Sequence, residues 1–261
     1  MQKLFYIEWL KIKSYTIFWV IFGLFAGLLL FALLLFPAIK LNIFLTFPNI
    51  WNTVSYIASW GNILFAVLII VLTGNEFSFR TFRQQVVSGL DRNEIVTGKV
   101  LLSVSFALCN TIVVFLLSLI FGIAMSTNFG ITEVFKNVYF LPVYFIQSLS
   151  YMLFALFITF LLKNQILSVV LYFVYQFLEF ILGIYFGLFN LPFKEYLPMT
   201  LISNLTPRPG LGMFFTYDQN MIQKAELFST DYTLLIHSGL ALVYSSIFVI
   251  LSYFLIKRKN L

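Results

Sequence analysis

The sequence predicts an all-α integral membrane protein with six transmembrane helices, and three observations carry that prediction. Hydrophobic residues make up 61% of the 261, charged residues only 10%, and the mean hydropathy is +0.97. A soluble domain is about 45–50% apolar and about 25% charged, and a water-soluble fold of this size cannot hide so much apolar surface. The apolar residues also gather in runs of about 20, the length at which a helix rising ~1.5 Å per residue crosses a ~30 Å hydrocarbon core. Finally, the runs do not alternate with polar residues. Ile63 to Leu72 is apolar throughout, whereas membrane-barrel strands alternate over about ten positions. In lipid a helix satisfies such a backbone internally.

The runs place spans at about residues 17–36, 55–73, 100–125, 141–162, 166–189 and 233–256, in one domain covering 1–261. The first run is too long for a signal-peptide core and ends in Phe36-Pro37-Ala38-Ile39 rather than a cleavage site, so it reads as a retained anchor. An even number of spans puts both termini on one side. Eleven Lys and Arg fall on that side (Lys3, Lys11, Lys13, Arg80, Arg83, Arg92, Lys99, Lys163, Lys257, Arg258, Lys259) and five on the other. Short positive loops stay in the cytoplasm, so both termini are expected there. The pI of about 9.3 is then a topology signal, not a nucleic-acid signal. A single cysteine, Cys109, permits no intramolecular disulfide and no cysteine metal cluster. The 33 Phe and 14 Tyr suit lipid-facing and interfacial positions.

Between the spans, residues 2–15 place Phe5, Trp9 and Ile12 at helical spacing with charges elsewhere around the wheel, which reads as an amphipathic helix in the interface. Residues 74–99 hold seven of the 26 charged side chains. There Phe79, Phe82, Val86 and Val87 fall near one helical face, with Arg80, Arg83 and Gln84 on others. Ser88-Gly89 reads as a stop, and Asp91 as the cap of a second short helix. Lys163-Asn164-Gln165 makes a tight helical hairpin. Residues 190–232, with Pro192, Pro198, Pro207, Pro209, Gly210 and Gly212, read as short helices and turns at the outer interface, and Gly183 and Gly187 as a break near the end of span five.

Enzymatic motifs are largely missing. G-x-x-x-x-G-K-[ST] does not occur: Gly98-Lys99 is followed by Val100, and position 93 is Asn. H-E-x-x-H and G-x-S-x-G do not occur either. The only histidine, His237, offers no metal constellation. Glu179 is the one acid deep in an apolar span. Tyr172, Tyr175, Gln176 and Glu179 recur at i, i+3, i+4 and i+7, one polar stripe facing other helices or a wet cavity. It reads either as part of a substrate path or as hydrogen-bonding glue between helices.

Six spans, cytoplasmic termini, an amphipathic N-terminal helix and a charged second cytoplasmic loop resemble the permease subunit of ABC-2-type ATP-binding-cassette exporters. The sharper resemblance is in the loop: Glu76, then Arg80-Thr81-Phe82-Arg83, then Ser88-Gly89-Leu90-Asp91-Arg92, then Gly98-Lys99 opening span three. Where the family usually has Gly before the Thr, Arg80 stands. The chain is most similar to short single-module permeases that work beside a separate ATPase, including bacteriocin-immunity, antibiotic-efflux and gliding-associated types.

The resemblance implies a cytoplasmic coupling helix within 74–98 seated in the ATPase subunit, through Glu76, Phe79, Arg80, Phe82, Arg83, Val86 and Arg92. Phe79, Phe82 and Val86 are expected to pack into that partner, the arginines to make polar contacts around them, and Glu76 to anchor the loop by a salt bridge. It implies two permease copies with two ATPases, ATP and Mg bound on the ATPase rather than on this chain, and re-entrant outer helices within 190–232. It also implies outward alternating-access transport of a peptide, lipid-like or drug-like cargo across a bacterial plasma membrane. Two other readings remain open: an ion-coupled secondary transporter using Glu179, and a membrane assembly subunit that transports nothing.

Overall fold

The computed structural model describes residues 9, 15–39, 41–126, 130–189, 191–207, 209 and 232–258. The amphipathic helix expected over residues 2–15 therefore lies outside the described residues, apart from Trp9 and Tyr15. Six helices are long and apolar enough to cross a membrane. Among the described residues, helices, 3-10 turns and short connections make up the whole chain.

In chain order the α-helices are α1 (Thr16–Ala38), α2 (Ile50–Ser78), α3 (Thr81–Val87), α4 (Arg92–Met125), α5 (Ile131–Phe135), α6 (Phe140–Leu162), α7 (Gln165–Leu188), α8 (Pro198–Ser203) and α9 (Tyr232–Arg258). Two 3-10 turns, Asn42–Leu45 and Pro192–Tyr196, sit in the α1–α2 and α7–α8 connections.

The spans match the hydropathy reading, with two differences. Span two starts earlier, at Ile50, because Asn52, Thr53 and Ser55 are buried inside the bundle and not excluded from the membrane region by their polarity. Span three starts at Arg92. Asp91 does not cap a separate short helix; it caps α4 itself, with the Glu94 carboxylate accepting from the Asp91 amide at 3.1 Å. At 34 residues α4 is about 50 Å long, so its first turns stand clear of the hydrocarbon core. The helix break expected at Gly183 and Gly187 is also corrected: α7 runs through both to Leu188.

α6 is the centre of the bundle, packed against α2, α4, α7, α8 and α9. It is buried on nearly every side, and Tyr144, Met152, Ala155, Leu156 and Phe160 are fully buried. By contrast α1 and α7 are peripheral, and most of their apolar side chains face outward. For a water-soluble protein that surface would be an aggregation hazard; in a bilayer it is ordinary lipid contact. Glycine allows one close crossing. A Cβ on Gly74 of α2 would stand 2.8 Å from the Gln165 Cα at the start of α7, so these backbones meet directly.

One end of the bundle collects the start of α1, α3, the α6–α7 turn and the end of α9. Asn75 donates to the Tyr15 hydroxyl at 2.8 Å there, and the Thr97 and Tyr253 hydroxyls lie 2.9 Å apart. The opposite end collects the Asn42–Leu45 turn, α5 and the Pro192–Ser203 segment. Trp51 anchors it: its indole donates to the Val134 carbonyl at 2.7 Å and stacks on Phe115. α9 joins the two ends, with Arg92 donating to the Ile256 carbonyl near one end and Tyr244 to the Tyr196 carbonyl near the other.

Candidate functional site

Two places gather the chemistry that the sequence singles out. The first is the α2–α3–α4 corner. α2 ends at Ser78, whose hydroxyl donates to the Gly74 carbonyl. Phe79 then turns out of the bundle and is 70% exposed. Arg80 follows with φ 57, a left-handed conformation that costs an ordinary L-residue about 1–2 kcal/mol. This is the position where glycine would adopt the turn freely. Thr81 donates to the Glu76 carbonyl at 3.2 Å and starts α3. Gly89, at φ 99, ends the segment and supplies the stop read from Ser88-Gly89.

α3 is held from behind by aromatics. Phe82 is 1% exposed and stacks on Phe77 with ring centroids 4.9 Å apart, and Phe77 meets Phe160 of α6 edge-on at 6.0 Å. Burying a phenyl ring in this way contributes about 1.5–3 kcal/mol. This corrects the expectation that Phe82 packs into a partner. Phe82 is buried within the chain, and Val86 packs half-buried against the same core. α3 packs on the end of α2, and its Phe82 side faces inward. The outward side is Arg80, Arg83, Gln84 and Val87, at i, i+3, i+4 and i+7, with Phe79 beside it. Val87 is 81% exposed and was not among the expected contact residues.

Beneath this corner Lys99 donates to Glu76 at 2.7 Å, and both side chains are nearly buried. The expected salt bridge of Glu76 thus exists, and its partner is the lysine of Gly98-Lys99. The pair clamps the end of α2 to the start of α4, so the short helix hangs between two fixed points. Arg92, expected beside the other arginines, instead reaches inward to the Ile256 carbonyl at 3.4 Å.

The second place is the α6–α7–α8 cluster. α8 is short, starts at Pro198 and buries Met199, Leu201 and Ile202 among α6, α7 and α9. Two polar side chains from the spans hold it. Glu179 is 4% exposed; one carboxylate oxygen accepts from the Met199 amide at 3.1 Å, the other from the Thr200 amide at 2.9 Å and the Thr200 hydroxyl at 3.1 Å. Those amides belong to the first turn of α8, whose donors have no partner within the helix. Gln147 of α6 donates to the Ile202 and Ser203 carbonyls and accepts from Thr206. Gln147 lies about 10 Å inside the α6 terminus and Glu179 about 14 Å inside that of α7, so α8 dips well into the bundle.

Of the expected polar stripe, Glu179 and Gln176 line a cavity of about 530 Å³ between α7 and α8, together with Tyr151 and Asn204. Tyr172 and Tyr175 do not reach it; both pack on Phe154 of α6. Helical periodicity alone missed Gln147 and Tyr151, because a polar residue on a span buried all round leaves no stripe to read.

Residues 4–179 match the family model described as ABC-2 family transporter protein, which covers more than half of the chain. This chain belongs to that family. The ABC-2 protein is accordingly the transmembrane part of an ABC transporter, not its ATPase, and embeds in the membrane as the partner of an ABC ATPase. The match ends at Glu179, so α8 and α9 of this permease lie beyond it. No curated protein and no solved structure matches the chain.

Proposed function

We propose that this ABC-2 permease is the membrane half of an ATP-driven exporter. Two copies pair with two ATPase subunits in a bacterial plasma membrane, with both termini cytoplasmic. The ATPases bind ATP and Mg; this chain binds neither. Closure of the ATPases pushes α3, which serves as the coupling helix, and the push reaches the spans through α2 and α4. Cargo then passes outward as the spans alternate between two arrangements.

The observation that carries this reading is the split character of α3. Its inner face is fixed by Phe82 on Phe77, and its ends by the Glu76–Lys99 pair. Its outer face offers Phe79, Arg80, Arg83, Gln84 and Val87. A short helix so braced transmits force instead of absorbing it, and an exposed face of two cations and two apolar side chains suits a partner groove. The secondary-transport reading is less well supported, because the Glu179 carboxylate is already engaged by three donors from α8.

The test is co-purification of the companion ATPase with Arg83→Glu/Val87→Asp chain in detergent. Loss of the ATPase with an unchanged elution profile supports the reading, whereas full co-purification and full coupled hydrolysis exclude it.

A further inference from the structure

At the centre of the bundle α2, α4 and α6 each pack against the other two. Tyr144 and Ser148 lie one turn apart on α6 and share a face. Asn62 of α2 and Asn110 of α4 both meet that face. The Tyr144 hydroxyl donates to the Asn62 Oδ1 at 3.3 Å, and the Asn110 Nδ2 donates to the Ser148 Oγ at 3.4 Å. All four side chains are 0% exposed. Asn62 stands about 18 Å inside the start of α2, near the middle of a ~30 Å hydrocarbon core.

One end of each amide is left over. The Asn62 Nδ2 and the Asn110 Oδ1 have no hydrogen-bond partner among the described residues. Such a group is costly to bury, and surrounding lipid offers it no relief. Hydroxyls on the same helices avoid that cost by bonding to their own backbone, Ser103 to the Lys99 carbonyl and Thr159 to that of Ala155. Gln147, the neighbour of Ser148, engages both ends of its amide, donating to the Ile202 and Ser203 carbonyls and accepting from Thr206.

The remainder is thus one donor on α2 and one acceptor on α4, beside the same two residues of α6. Turning either amide over exchanges its oxygen and nitrogen but still leaves one polar end on each helix. A water molecule serves every combination, because it has two protons to donate and two lone pairs to accept with. Ser148 supplies a third partner: its oxygen accepts from Asn110, and its own proton can turn toward the same place. Three partners is the usual number for an internal water. Both bonds to α6 are long and Ser148 is small, so the polar groups stand slightly apart.

We propose that one internal water sits between Asn62 and Asn110 and ties α2 to α4 at the centre of the bundle. Along α2 this tie lies about 20 Å from the Glu76–Lys99 pair. The two helices that hold α3 are then joined at two levels, and a load on α3 moves them as one body. The water site goes beyond the export reading and does not rest on it.

The experiment uses the full chain, crystallised from a lipid mesophase at a resolution that shows ordered solvent. One solvent peak is expected within about 3.2 Å of both amides. Two amides in direct contact, or no peak between them, overturn the proposal.

A second measurement needs no crystals. Asn62→Leu and Asn110→Leu are each expected to lower the thermal midpoint in fluorescence-detected size exclusion by at least about 2 °C, because each leaves the water and the opposite amide short of a partner. The double variant removes both amides and is expected to fall by clearly less than the sum of the two losses. A midpoint raised by either single variant means that its amide stood unpaired, and overturns the proposal. So does a double loss equal to the sum. If a single variant does not fold, the solvent peak of the wild-type chain decides.

Discussion

Lys99 and Glu76 meet at 2.7 Å across 23 residues of sequence, and between them hangs the whole α3 corner. Removing one partner of such a buried pair leaves the other charge uncompensated, at about 3–5 kcal/mol. Glu76→Gln and Lys99→Met are each expected to lower the thermal midpoint in fluorescence-detected size exclusion. The double variant Glu76→Leu/Lys99→Met is expected to recover most of the loss. If the single losses simply add, the pair is not coupled.

Arg80 gives a prediction with opposite signs for stability and assembly. Its left-handed backbone suits glycine, so Arg80→Gly is expected to stabilise the chain by about 1 kcal/mol. The same change removes a cation from the outward face of α3 and is expected to weaken ATPase capture. Unfolding midpoints and co-purification from one set of preparations check both. A strained residue retained where glycine would fit points to use of its side chain.

Phe82 separates folding from docking. Phe82→Ala opens a cavity against Phe77 and is expected to cost about 3–5 kcal/mol. Val87→Ala, on the exposed side, is expected to change stability by less than about 0.5 kcal/mol. Equal losses for the two would place α3 in a different orientation.

Helix contours were legible in the sequence because hydropathy depends only on composition within a window. The end of α1, the stop at Gly89 and the α6–α7 turn followed from the same local signals. The inward or outward sense of α3 was not legible. Phe79, Phe82, Val86 and Val87 are all apolar, and only the position of Phe77 and Phe160 decides which of them are buried. For the same reason Glu179 stood out as an acid in an apolar span, while its partners, two backbone amides of α8, have no sequence signature.

Glu179→Gln keeps the shape but replaces one accepting oxygen by an amide donor, so the bonds to the Met199 and Thr200 amides cannot all persist, and each is worth about 0.5–1.5 kcal/mol. Release of α8 is the expected result. An Asn204→Cys reporter in a Cys109→Ala background is expected to react with a membrane-impermeant maleimide several-fold faster once Glu179 is changed. Identical labelling rates would mean that Gln147 alone holds the segment.

Gly74 and Gly23 form a matched pair. Gly74→Ala drives a Cβ to 2.8 Å from the Gln165 backbone and is expected to cost about 1–3 kcal/mol. Gly23→Ala meets nothing within 4 Å and is expected to gain about 0.5–1 kcal/mol from the stiffer helix. Thermal midpoints of the two variants, measured side by side, check the predicted difference in sign.

The hydrogen bonds of α9 bear on biosynthesis. Ser150 on α6 shares a hydroxyl pair with Ser245, Thr97 pairs with Tyr253, and the Tyr196 carbonyl receives Tyr244. While the ribosome is still making the 207–232 stretch, all three groups wait without those partners. Insertion of the sixth span therefore closes both ends of the bundle in one step. A nascent chain stalled before that step keeps the Ser150 and Thr97 hydroxyls bonded only to their own helices, at the Ile146 and Asn93 carbonyls, and lacks every one of these ties to the last span.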